Sequence, residues 1–149
     1  MKKIIAAILI SISISCSNEK QGLQLLNEIS KEWTSITKYK NEMVILNPCD
    51  SGNLWIQIKG SPEENPLLSI SHSHDFVEFP IHNIIKKNDL YTFYSIKNDS
   101  EFNFSLHILD SAKGIGSWID HGVYVNTEHK KNYKEINQPC IEFWDDCPN

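Results

Sequence analysis

The clearest periodicity in the chain runs from Glu101 to Ile108, where Phe102, Phe104, Leu106 and Ile108 alternate with Glu101, Asn103, Ser105 and His107. A period of two sends alternate side chains to opposite faces of a strand, so this segment reads as a half-buried β-strand. Leu90–Ile96 is rich in aromatic and β-branched residues, and the turn formers Lys97-Asn98-Asp99-Ser100 join it to the next strand as a hairpin over 90–109. Leu54, Ile56 and Ile58 alternate with Trp55, Gln57 and Lys59, a second half-buried strand. The apolar run Met43–Leu46 precedes it, and the turn-dense 47–53 predicts that the two form a hairpin with a long turn. Leu67–Ser71 and Phe76–Ile81 read as further strands, the second with Val77, Phe79 and Ile81 on one side. Pro80 has no N–H for a ladder, which argues against a central place for it in a sheet. Short strands are expected at Ser117–Ile119, Gly122–Val125 and Ile141–Trp144.

One segment has a different period. Leu23, Leu26, Ile29, Trp33 and Ile36 recur at three- and four-residue steps, the stripe of an amphipathic helix over roughly 22–37. The competing reading takes Trp33–Ile36 as the opening strand of a small barrel; the helix is preferred. The expected class is α+β and mainly β: an N-terminal helix packed on an antiparallel curled sheet or small barrel of about 7–9 strands.

The first residues are of another kind. Lys2 and Lys3 precede an apolar stretch from Ile4 to Ile14 that only serines interrupt. A helix needs about 20 apolar residues to span a bilayer, so this stretch fits a secretory signal instead. Ser13-Ile14-Ser15-Cys16 then gives way at once to polar residues, and it resembles the lipobox of bacterial lipoproteins. The resemblance implies that residues 1–15 are removed and that the Cys16 thiol carries the lipid. Ser17 implies sorting to the outer membrane of a Gram-negative envelope. The organisation expected is a signal peptide at 1–15, a lipidated tether at 16–22 and one β-rich domain at 23–149.

Charge narrows the partners. Without residues 1–15 the chain keeps 12 lysines against 19 acidic residues, and it contains no arginine. A net acidic protein without the bidentate guanidinium is a poor nucleic-acid binder. Cys49, Cys140 and Cys147 remain once Cys16 is set aside, and in an oxidising compartment they make one disulfide, with three pairings open.

Candidate chemistry is sparse. His72-Ser73-His74-Asp75 places His72 and His74 on one side of a strand, as metal ligands require, with Asp75 or His82 available as a third. The same residues read as a polar hairpin turn, which is the preferred interpretation. No nucleophile elbow, phosphate-cradling loop or dinucleotide fingerprint occurs. No cofactor is therefore expected, and no catalytic set is assigned. Trp55 lies opposite Leu54, Ile56 and Ile58, and Tyr91 and Phe93 lie opposite Leu90, Thr92 and Tyr94. Such aromatics are candidates to line a ligand cavity or a protein-binding patch. The strand spacing resembles that of small lipocalin- or calycin-type barrels. The expected function is a non-catalytic, lipid-anchored envelope protein binding a small apolar ligand or envelope component. The alternative is an inhibitor or immunity protein against a periplasmic or extracellular enzyme, and a third reading is a metal-dependent enzyme using His72 and His74.

Overall fold

The computed structural model describes residues 19–49, 52–72 and 74–138. The expected signal peptide, Cys16, Cys140, Cys147 and the strand expected at Ile141–Trp144 lie outside the described residues. The described strands are β1 (Glu19–Gln21), β2 (Glu32–Ser35), β3 (Thr37–Tyr39), β4 (Glu42–Asn47), β5 (Trp55–Lys59), β6 (Leu67–His72), β7 (Asp75–Lys87), β8 (Leu90–Lys97), β9 (Ser100–Asp110), β10 (Ile115–Trp118), β11 (Gly122–Asn126) and β12 (Lys134–Asn137).

Eight of these close into an antiparallel barrel in the order β2-β5-β6-β7-β8-β9-β10-β11. Each barrel strand pairs with the next barrel strand along the chain, and β11 returns to β2 with Tyr124 opposite Ser35 and Asn126 opposite Trp33. Closure leaves no unpaired edge in the barrel wall. The tight reversals are built by residues that tolerate a left-handed backbone. Asn98 and Asp99 both have positive φ between β8 and β9, the signature of a two-residue hairpin turn whose twist matches its strands.

The expected N-terminal helix is not formed. Leu23–Glu28 makes a short 3-10 helix, and the chain is already extended from Glu32. Two different periods meet in this stretch. Leu23, Leu26 and Ile29 are spaced at three residues, which is one turn of a 3-10 helix. Trp33 and the β-branched Thr34 and Ile36 belong to an extended run. The 3-10 segment buries Leu25, Leu26 and Ile29 in the barrel core. Its carboxylate Glu28 pairs with Lys86 at 2.6 Å and Lys20 at 3.3 Å. The indole N–H of Trp33 donates to the Ser30 carbonyl at 2.8 Å. One end of the barrel is thereby plugged, the end where β7 turns into β8 and β9 into β10.

The hairpin expected between 43–46 and 54–58 is also replaced. β4 pairs with β3 and, in parallel, with β12, while β5 pairs with β2 and β6. Ile36, just before β3, and Ile45 of β4 pack onto Val125, with Ile115 and Val123 beside them, on the outer wall of β10 and β11. That wall is apolar on both faces, so the barrel strand needs a cover that hairpin patterning alone does not reveal. Pro80 lies within β7 opposite Leu67, close to a register shift between Ile81 and Asn83. The irregular ladder there accommodates the missing N–H.

Inside, the alternating positions converge. Trp33, Ile56, Leu68, Ile70, Ile84, Phe93, Leu106, Trp118 and Tyr124 are all essentially inaccessible. Gly116 is the small member of this set. A β-carbon there would sit 2.7 Å from Leu106 Cδ1 and 2.9 Å from Trp33 Cζ3, so the Trp33 ring occupies the space a side chain would need.

Candidate functional site

The open end of the barrel carries the reversals β6–β7, β8–β9 and β10–β11. Phe79 on β7 and Phe102 and Phe104 on β9 gather there. The Phe79 ring centroid is 4.7 Å from that of Phe104 and 5.1 Å from that of Phe102. These rings are only partly covered, and Phe102 keeps 37% of its surface exposed. Strand parity explains the gathering. Phe102 and Phe104 follow the inward positions of Leu106, and Phe79 pairs with inward Leu68. Lys97 lies over the Phe79 ring at 5.0 Å and donates to the Glu78 carbonyl at 2.9 Å.

The floor of this cup is solid. Trp118 stacks on Phe93 at 5.3 Å and meets Trp33 edge-on at 6.2 Å. Two buried polar side-chain atoms near these rings have no hydrogen-bond partner among the described residues: the Trp118 Nε1 donor and the Ser95 hydroxyl. Ser95 is 3% exposed and sits directly opposite Phe102 in the β8–β9 ladder. A buried unpaired polar group is costly, and such groups mark places where water or a ligand completes the bonding.

Two imidazoles flank the cup. His72 ends β6, and His121 lies in the turn between β10 and β11, with ring centroids 6.4 Å apart. The His121 ring also lies nearly parallel to Phe104, 6.5 Å away. Burial, and then the neighbouring His72, push the His121 pKa below its ordinary value, while Asp120 acts in the opposite sense. Its turn is held by the His121 N–H bonding the Trp118 carbonyl and by Asp120 in a left-handed conformation.

The aromatics singled out by sequence go to three different places. Phe93 is in the filled interior. Tyr91 is buried towards the plugged end, beneath Lys86 at 4.8 Å. Trp55 faces outward, 5.9 Å from Phe76, and lines an open cleft of about 320 Å³ with Glu32, Gln57 and Lys130. They form no common surface. His72, His74 and Asp75 do form the tight β6–β7 reversal, with His72 opposite Asp75. His74 and His82 are exposed, and His121 is the imidazole that faces His72. No group of three His, Cys, Asp or Glu side chains able to hold a metal ion occurs among the described residues. Phe79, Phe102, Phe104 and His121 were not picked out by sequence. The first three were legible as inward positions, but their meeting needs barrel closure. The pairing of His121 with His72 has no local sequence signal.

No protein-family model, curated protein or solved structure matches this chain. No helix among the described residues is long and apolar enough to cross a membrane.

Proposed function

We propose that this chain is a lipid-anchored, non-catalytic binding protein of the cell envelope that takes a small apolar ligand at the open end of its barrel. The observation that carries the reading is the half-open cluster of Phe79, Phe102 and Phe104 above a packed tryptophan floor. The ligand would be shallowly held, because Trp118 and Phe93 occupy the middle of the barrel. The unpaired Ser95 hydroxyl, cross-strand from Phe102, favours a ligand with one polar group. The test is fluorescence titration with 1-N-phenylnaphthylamine. Saturable binding is expected, weakened about tenfold by Phe102→Ala, since partial burial of one ring supplies roughly 1.4 kcal/mol. Binding indifferent to Phe102→Ala and Phe104→Ala would sink the site.

The anchor is supported by the lipobox-like Ser13-Ile14-Ser15-Cys16. Cys16→Ala is expected to release the protein from membranes, and unchanged membrane association would refute lipidation there. A disulfide from Cys49 to Cys140 is part of this proposal. The β4–β12 ladder ends with Asn47 opposite Asn137, and the Gln138 N–H bonds the Asn47 carbonyl at 2.9 Å. Cys49 follows that last rung by two residues and Cys140 by three, so the two are close to the same rung along the sequence.

One observation favours the inhibitor reading instead. The solid floor is ringed by carboxylates on three turns, Asp75, Asp99 and Asp120, beside exposed Phe76 and Ile119. An apolar patch with an acidic rim suits a basic protein surface. Under that reading Asp99→Lys and Asp120→Lys abolish inhibition of the cognate enzyme while leaving probe binding intact.

A further inference from the structure

We propose that His72 and His121 together form a binding site for a borderline divalent transition cation such as Zn²⁺, Ni²⁺ or Cu²⁺. The two rings come from different parts of the barrel wall, the end of β6 and the β10–β11 turn, and face each other with centroids 6.4 Å apart. A cation bonded to two imidazole nitrogens at about 2.0 Å each holds the ring centroids roughly 5–6 Å apart. Closing the gap asks for about an ångström of movement, within the reach of side-chain rotation at the end of a strand and in a turn. Neutral imidazole suits these cations, and thiolates or a carboxylate cage are not required for them to bind.

The surroundings favour a positive charge. Asp75 lies directly opposite His72 in the β6–β7 ladder, so its side chain emerges on the same face. Asp120 precedes His121 in its turn. No third ligand side chain completes the set among the described residues, so water fills the remaining positions. The phenyl ring of Phe104 lies 28° from parallel with His121 and restrains one ligand ring before the metal arrives. A restrained ligand loses less freedom on binding. This site is independent of the ligand reading above; it needs neither the apolar cup to be occupied nor the chain to be lipidated. It also differs from a His72–His74 site, because His74 lies beyond the strand in the exposed turn.

The experiment is isothermal titration of the metal-free, soluble chain lacking residues 1–15, with Cys16→Ser, using ZnCl₂ and then NiCl₂ at neutral pH. One equivalent is expected to bind in the micromolar range. His72→Ala and His121→Ala should each weaken it tenfold or more, while His74→Ala and His82→Ala leave it within twofold. Thermal melting of each variant confirms that it is folded. In parallel, substoichiometric Cu²⁺ should broaden the ring proton resonances of His72 and His121 first, which reads the ligands in the unmodified fold. Binding no tighter than millimolar overturns the proposal. So does binding that survives His121→Ala, or broadening that begins at His74.

Discussion

The indole of Trp118 lies on the phenyl ring of Phe93 at 5.3 Å, with 27° between the planes, and this pair fills part of the barrel core. Both residues are fully buried. Trp118→Ala should cost about 3–5 kcal/mol, the range for removing a large core aromatic without collapse of the site. Equilibrium urea unfolding measures it. The variant should also open the cup inward, so that it binds more of an apolar dye than the parent does; a small stability loss with no extra dye binding would show that the interior repacks.

Gly116 tests the same core from the opposite side. Its hydrogen leaves room for the Trp33 ring and Leu106. Gly116→Ala adds a single methyl and should destabilise by roughly 1–3 kcal/mol through overpacking. A shift of the urea midpoint with an unchanged slope is the expected signature.

The 3-10 plug is held by charge as well as by apolar contact. Hydrogen bonds first from Lys86 and then from Lys20 hold the Glu28 carboxyl below the usual carboxylate range. A depressed pKa contributes stability that is present above the unfolded value and is lost as pH falls through the folded one. Glu28→Gln should therefore lower stability near neutral pH and converge with the parent in acid, below the ordinary carboxylate pKa. The pair is well exposed, so the difference should be about 0.5 kcal/mol or less. Thermal melts across that pH range decide it, and a gap that persists in acid would assign the role of Glu28 to packing.

The disulfide proposal has a discriminating outcome. Non-reducing peptide mapping should recover Cys49 linked to Cys140, with Cys147 alkylatable. Recovery of Cys49 with Cys147 would refute that pairing. Cys140→Ser should loosen β12 without opening the barrel, seen as faster amide exchange over Lys134–Asn137 than over β9.

Much of the barrel was legible because its strands have one wet face and one dry one. The β8–β9 hairpin follows directly from alternation at Phe102, Phe104 and Leu106 and from Asn98-Asp99. The β6–β7 reversal at His72–Asp75 was equally local. What failed was non-local. β4 looks like a hairpin partner for β5, yet the outer face of Val125 draws it into a separate sheet that needs β12, far along the chain. The apolar positions of 23–36 straddle two periods, and only the packed core tells a 3-10 plug from a helix. The candidate site suffered most. Parity assigns Trp55 and Phe93 to faces, but which faces meet depends on closure of β11 upon β2.

The short strand β1 has a further consequence. Glu19–Gln21 is bonded along β7 at Ile85–Lys87, beside the plugged end. Only two residues separate it from Cys16. With lipid on that cysteine, the chain has almost no slack, and the plugged end stands against the bilayer. The longest barrel strand, at about 3.3 Å per residue, then lifts the opposite turns on the order of 30 Å into the water. A site at that height cannot pick acyl chains from the leaflet beneath it. A protein so anchored would sample what diffuses past, the membrane serving it as a mooring rather than as a source of cargo.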